Sequence, residues 1–269
     1  MRAAPPAHMP RVMKTLEDRS VLRIAGPDAR TFLQGLITQD TPAPGEAPRF
    51  SALLTPQGKI AFDFFIAPDG ADYLVDCARV CAPRLLQRLS MYKLRADVRI
   101  GPEPGLAVAA GGAPVVDGAF ADPRLPSLGY RAFIAAERAP PADGGDYHAR
   151  RIELGVPQHA DDFDADEFFL LDVNYDALNA VSYRKGCFIG QETTSRMKRK
   201  SEAKRRTLVA TFEGIAPDRG ARIFAGDELL GEVLAARGDH ALAAVRIDRL
   251  AAAAQPVVAG ATALRLAIP

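Results

Sequence analysis

The chain reads as an α+β protein that ends in a small antiparallel β-barrel, and three observations point there. Within 49–100, turn signals separate three strand-like runs, a helical run and a return strand, the pattern of a compact α+β unit. The 21 prolines and 22 glycines supply many turns and suit a substantial β content. Past residue 206 the composition shifts to five or six short apolar strands, separated by Gly, Asp and Pro, in about 65 residues. A length of 269 residues allows a sizeable core and two or three structural units. Hydrophobic residues make up 48% and charged residues 25%, ordinary for a globular chain. A formal net charge of +1 excludes polyanion binding by bulk charge, so any basic role is local.

Taken in order, residues 12–16 and 20–25 read as two short strands around the acidic turn at Glu17 and Asp18. Asp28 suits the N-cap of a helix through Gly35, with Phe32, Leu33 and Leu36 as its apolar face. The Pro-rich segment 41–48 is a loop. Strands follow at 49–55 and 60–67, the second with Ile60, Phe62, Phe64 and Ile66 on one face, joined by a turn at 56–59. A strand at 73–77 leads to an amphipathic helix over 80–94, with Leu85, Leu86, Leu89 and Tyr92 at helical spacing. Strands at 96–100, 106–110 and 128–135 follow, then a helix over 147–154 closed by Gly155.

Three stretches carry charge or thiol chemistry. Cys77, Cys81 and Cys187 are an odd number and form no disulfide framework, which suggests a reducing compartment. The spacing of Cys77 and Cys81 is neither a zinc nor a redox motif, and three thiols are too few to carry a cluster permanently. Residues 157–166 carry Asp161, Asp162, Asp164 and Asp166 at spacings incomplete for a calcium loop, so a solvated acidic loop is expected and no metal ligand is assigned. Residues 196–206 hold Arg196, Lys198, Arg199, Lys200, Lys204, Arg205 and Arg206 against Glu202 alone. That run reads as a solvated interdomain linker, an anion-binding rim or a nucleic-acid contact. No aromatic residue interleaves the charges, so nucleic acid is not favoured. Residues 1–8 lack an apolar core and read as a disordered lead-in. With no run near the ~20 apolar residues of a spanning helix, the expectation is a cytoplasmic protein without membrane contact.

The stretch that organises the chain is Lys185-Gly186-Cys187-Phe188-Ile189-Gly190-Gln191-Glu192. A cysteine acts as nucleophile or metal ligand in its thiolate form, which nearby cations favour. Arg184 and Lys185 precede Cys187; Arg196 and Lys198 follow it. Gly186 and Gly190 permit backbone angles that other residues avoid, and Gln191, Glu192, Thr193 and Thr194 suit a first helical turn. The plainer alternative is a small buried residue between two glycines.

This octapeptide closely resembles the K-G-C-[FY]-x-G-Q-E signature of the YgfZ family, folate-binding proteins implicated in iron–sulfur cluster assembly and repair. That family is similar in fold to the glycine-cleavage T-protein, an aminomethyltransferase. The resemblance covers nearly the whole chain. Residues 32–40 resemble the family's FLQGxxTxD segment, 54–60 its xxPxGKI turn, 92–98 its YxLRxxV helix exit, and 151–157 the RIExGxP segment shared with T-proteins. The barrel end is similar only in pattern. The resemblance implies a T-protein/YgfZ-like ring of units with a mixed-sheet folate-binding N-terminal region at 1–203, an α+β subdomain inserted at about 45–125, and a barrel at 204–269. Tetrahydrofolate or a one-carbon derivative would fill the central pocket. Glu153 would accept hydrogen bonds from the pterin N–H groups, and Arg184 with the basic run would meet the glutamate tail. Asp63 stands where T-proteins carry paired aspartates; Phe62 replaces the other, which weakens an aminomethyltransferase reading. Cys187 would be the functional thiol, and Lys185 would favour its thiolate and bind anions. Iron–sulfur enzymes or assembly proteins are the implied partners. Two alternatives stay open: a tetrahydrofolate-dependent aminomethyltransferase, and an RNA- or partner-binding module acting through 196–206.

Overall fold

The computed structural model describes residues 12–142, 144–200 and 204–267; the expected lead-in at 1–8 and Glu202 lie outside them. Strands β1 (Lys14–Thr15) and β2 (Arg19–Ala25) flank the acidic turn as expected, but they enter different sheets. Helix α1 (Ala29–Gln34) follows Asp28. The Asp28 carboxylate does not cap it, however. Its Oδ2 accepts the backbone N–H of Asp97 at 2.8 Å and ties the helix start to a distant turn. Next come β3 (Arg49–Leu54), β4 (Ile60–Asp69), β5 (Asp72–Ala78), α2 (Ala82–Lys93) and β6 (Arg99–Pro102). The strands build a five-stranded sheet of order β3-β4-β5-β2-β6, with Leu85 and Leu89 of α2 buried against it. Because β2 lies between β5 and β6, the segment at about 45–125 does not form this sheet alone.

Strand β4 departs from the expected single apolar face. Leu53 pairs with Phe62 but Leu54 pairs with Ile60, a one-residue register shift. Side chains alternate with period 2, so the extra residue sends Ile60 to the opposite face. Ile60 and Phe65 join one core cluster, while Phe62, Phe64 and Ile66 join another.

Strands β7 (Leu106–Gly111), β8 (Phe120–Ala121) and β9 (Tyr130–Ala135) join β1 in a four-stranded sheet of order β1-β7-β9-β8. Helix α3 (Gly145–Glu153) ends at Leu154, and Gly155 then turns the chain with φ +73°. Helix α4 (Gln191–Lys200) leads to β10 (Arg205–Thr211), β11 (Arg222–Ala225), β12 (Glu228–Arg237), β13 (His240–Arg246), an unexpected α5 (Ile247–Ala252), β14 (Val257–Ala259), β15 (Thr262–Ala263) and β16 (Arg265–Leu266). These strands form a seven-stranded near-closed barrel of order β15-β14-β11-β12-β13-β10-β16. Every ladder between named strands is antiparallel, and parallel pairing among the described residues is limited to the bridges Thr15–Ala142 and His159–Phe163. The expected mixed sheet is therefore corrected: a parallel neighbour needs a long crossover, and most of these connections are short. No helix among the described residues is long and apolar enough to cross a membrane.

One core cluster joins the parts. Phe50, Leu54 and Phe65 meet Ile152 of α3, Phe163, Phe168, Tyr175 and Phe188 of the turn-rich stretch, and Leu234 and Leu242 of the barrel. Beside it, three buried arginines surround Phe65. The Arg131 guanidinium lies 4.0 Å from the Phe65 ring centre and that of Arg124 lies 4.7 Å away. Arg19 and Arg131 reach Asp76 at 2.6 and 2.5 Å, and Arg124 reaches Asp122 at 2.7 Å. The Tyr147 hydroxyl accepts from Arg131 at 2.6 Å and also from Arg124. These residues come from both N-terminal sheets, the 122–124 turn and α3, so the charges fix how those elements meet.

Candidate functional site: the Cys187 turn

The signature turn is pinned at both ends and open in the middle. On one side Lys185 is 8% exposed and its Nζ donates to the carbonyls of Ile37 at 2.7 Å and Gln39 at 2.8 Å. On the other, Phe188 is buried in the joining core. Between them Gly186 and Cys187 are exposed, and the Cys187 thiol is free. Gly190 then meets the 56–59 turn. Its φ is +79°, and a Cβ there would lie 2.8 Å from the Thr55 carbonyl and 2.9 Å from Gly58 Cα. Only glycine suits that crossing. Gly186 differs: a Cβ on it would meet nothing within 4 Å.

Lys185 has another task than the one expected of it. Its ammonium is occupied by two carbonyls and ties the signature to residues 37–39, so it is a clamp rather than a partner aimed at the thiol. Burial pulls its pKa down to about 8, opposed by the charge of Asp40. Thr38 strengthens the clamp, donating to the Ala180 carbonyl at 2.6 Å. A cavity of about 670 Å³ opens beside the turn, walled by Cys187 together with Arg30, Asp40, Thr41, Glu46 and Arg49. None of these five was singled out from sequence, although Asp40 lies in the 32–40 segment quoted for the resemblance. Its pairing in space with the signature is the signal that could have found this wall.

The residues assigned to folate sit in three different settings. Arg184 is exposed and makes no hydrogen bond or ion pair among the described residues. Glu153 closes α3 with its side chain 25% exposed; its Oε2 accepts from Arg150 at 2.9 Å. Oε1 stays open, which suits a donor-bearing ligand edge. Asp63 is 2% exposed, and its Oδ2 accepts from the His159 N–H at 2.9 Å and from the Tyr175 hydroxyl, while Oδ1 has no partner. Burial first, and then the Asp63 charge, push the Tyr175 hydroxyl well above its usual range. Asp63 thus sits enclosed in the core, with one carboxylate oxygen held and the other unpartnered.

The acidic loop is solvated only in part: Asp164 and Asp166 are exposed, Asp161 is half-buried and Asp162 is enclosed. Asp162 is 2% exposed and accepts from Arg151 at 2.5 and 2.9 Å and from the Gln158 N–H at 2.7 Å. Nearby, ligand atoms of Asp18, His148 and Asp161 lie within 4.8 Å of one another. His148 Nδ1 accepts from Arg151 Nε at 3.1 Å, so a neutral ring carries its proton on Nε2, 3.5 Å from Asp18 Oδ1. That nitrogen is a donor to carboxylates, not a lone pair for a metal. Burial raises the pKa of Asp18, but the His148 bond and charge, with Arg19, outweigh it and bring it to about 2.

The basic run is likewise structured on both sides of 201–203. Residues 196–200 end α4, where cations complement the helix C-terminus. Arg206 bonds Asp176 at 2.6 Å, Lys198 approaches the same carboxylate at 3.6 Å, and Arg205 approaches Glu232 at 3.8 Å. Arg196, Lys198, Arg199 and Lys200 are exposed, as a solvated run would be, but they lie on a helix, and Arg205 and Arg206 open a strand.

Comparison with known proteins agrees with this fold. Residues 204–269 match the family described as CAF17, C-terminal beta-barrel domain. The chain is 30% identical over 243 residues to the mitochondrial iron-sulfur cluster assembly factor IBA57 homolog of Neurospora crassa, covering 76% of this chain and 54% of that protein. It is 28% identical over 277 residues to the human mitochondrial iron-sulfur cluster assembly factor IBA57, covering 87% of this chain and 77% of the human one. The chain thus spans about half the length of the fungal relative. Among solved structures, the glycine cleavage system aminomethyltransferase T of Bartonella henselae superposes with a TM-score of 0.75 at 15% identity, over 98% of this chain and 86% of that one. The chain therefore has the T-protein fold and is related in sequence to IBA57 and, at its C-terminal end, to CAF17. The expected cytoplasmic location is overturned, because these IBA57 relatives are named as mitochondrial proteins.

Proposed function

We propose that this protein supports the assembly or repair of iron–sulfur proteins, with Cys187 as its working thiol and tetrahydrofolate or a one-carbon derivative as its bound small molecule. The observation that carries the reading is the exposed, free Cys187 held between two buried anchors at the mouth of a cavity. Sulfur of this kind is a soft ligand for iron and a nucleophile toward sulfur. One thiolate does not hold a cluster by itself, so the partners are iron–sulfur enzymes or assembly proteins that supply the other ligands. The naming of IBA57 relatives as iron-sulfur cluster assembly factors supports the same role. A folate would bring a carrier for one-carbon units. Glu153 is the residue that would hold it, through the open Oε1. The division into 1–203 and 204–269 belongs to this proposal too.

The other readings have less support. By the resemblance, Phe62 stands where T-proteins carry a carboxylate, and Asp63 is enclosed, which weakens an aminomethyltransferase reading. Arg206 and Lys198 already meet Asp176, which lowers the charge offered to RNA.

The test is complementation of cells lacking their own protein of this kind, read as the activity of an iron–sulfur enzyme. Wild type should restore that activity and Cys187→Ala should not, while thermal melts show both equally folded. An active Cys187→Ala protein sinks the proposal. Calorimetric titration of tetrahydrofolate into wild type and Glu153→Ala checks the ligand: saturable binding, lost in the variant, is expected.

A further inference from the structure

The cavity at Cys187 has a charge pattern that selects its occupant. Its volume, about 670 Å³, falls in the range of small-molecule sites. Guanidinium and carboxylate groups share the wall: Arg30 and Arg49, Asp40 and Glu46. Arg30 is exposed and makes no ion pair among the described residues. Arg49 holds Glu46 with Nη2 at 2.8 Å, which leaves its remaining N–H groups available. Asp40 accepts from Gln34 at 3.0 Å through Oδ1. A second observation marks the wall as a binding surface. Thr41 is 2% exposed, yet its hydroxyl has no hydrogen-bond partner. An orphaned buried hydroxyl is costly unless something completes it. Balanced charges of both signs disfavour a polyanion and a simple cation alike. They suit a zwitterion whose carboxylates meet the arginines and whose ammonium meets Glu46 or Asp40. The wall also carries the Cys187 thiol, whose chemistry suits an occupant with a sulfur of its own.

We infer that this cavity binds a short zwitterionic peptide thiol and that Cys187 exchanges disulfides with it; the inference rests on the reading of Cys187 as a working thiol. The co-reactant is the peptide's disulfide. Cys187 sulfur attacks one sulfur of that bond, the peptide S–S bond breaks, and a Cys187–peptide disulfide forms. The departing peptide sulfur leaves as thiolate and takes up the proton given up by Cys187. Cys187 is oxidised and the departing half is reduced, so atoms and electrons balance.

The test compares glutathione disulfide with bis(2-hydroxyethyl) disulfide, which lacks charges, by following adduct formation at Cys187 by mass spectrometry. Each rate is divided by that of an unstructured cysteine peptide. Wild type should favour the charged disulfide by about tenfold. Arg30→Gln and Arg49→Gln, both near the surface, should each lose most of that preference, read as the ratio of the charged to the uncharged rate within the same variant. Equal normalised rates in wild type, or a preference untouched by both variants, overturn the inference. If that happens while Cys187→Ala still fails to complement, the peptide-thiol site falls and the wider role stands. A preserved preference with an active Cys187→Ala has the reverse meaning.

Discussion

Around Phe65, Arg19, Arg124 and Arg131 are at most 3% exposed and share Asp76, Asp122 and the Tyr147 hydroxyl. Beside Cys187, Arg30 and Arg49 border a cavity together with Asp40 and Glu46. The same residue types serve opposite ends. In the first cluster, carboxylates from one element answer guanidiniums from another, and the result fixes how two sheets and α3 meet. In the second, partners are few or local, and binding capacity is left over. Burial makes the difference. A buried charge without a partner costs several kcal/mol, so closed clusters become complete or nearly so. Exposed charges carry no such penalty and stay free for a ligand.

The comparison breaks most readily at its closed end. Asp76→Ala removes the carboxylate shared by Arg19 and Arg131, and a loss of about 3–5 kcal/mol is expected in urea unfolding. A loss below about 1 kcal/mol would mean that the buried charges do not set the packing. The next effect lies where the two regimes touch. Gly190→Ala puts a Cβ 2.8 Å from the Thr55 carbonyl at φ +79°, and should cost about 1–3 kcal/mol and displace the Cys187 turn. Unchanged stability together with unchanged reactivity of Cys187 would show that the turn is not pinned there.

Lys185 gives a pH test. Its pKa falls from 10.5 to about 8 in the folded protein, because burial disfavours the ammonium. Below about pH 8 both states hold the proton and the burial cost is present in full. As pH rises from 8 toward 10.5 the unfolded chain keeps the proton and the folded one releases it, so this group's contribution to stability rises over that window. Urea midpoints taken through the window should therefore rise less in Lys185→Met than in wild type; parallel curves would remove Lys185 from the account. The smallest effect is expected at Gly186→Ala, within about 0.5 kcal/mol, since a Cβ there meets nothing within 4 Å. A larger loss would mean that the exposed crest of the turn is as constrained as Gly190.

Much of the fold was legible in the chain. The strand at 60–67, the helix with Leu85 and Leu89 buried, the end of α3 before Gly155 and the short barrel strands all follow local periodicity and turn residues. The site was legible in part. The signature marked Cys187 and its glycines, but not that Gly190 alone is sterically required, nor that Lys185 faces carbonyls of residues 37–39. Asp162 reads as part of a solvated loop and Asp63 as a ligand-side carboxylate; both are buried, and their partners Arg151 and Tyr175 are identified only once the chain is folded.

The sequence by itself determined the element types, the barrel end and the reactive turn, since periodicity, glycine placement and turn chemistry act between near neighbours. Tertiary structure alone decided which sheet β1 and β2 enter, which carboxylates are enclosed and what walls the Cys187 cavity. Those outcomes depend on pairings between residues far apart along the chain, such as Lys185 with Ile37, and on the requirement that each buried charge find a partner wherever the fold brings one.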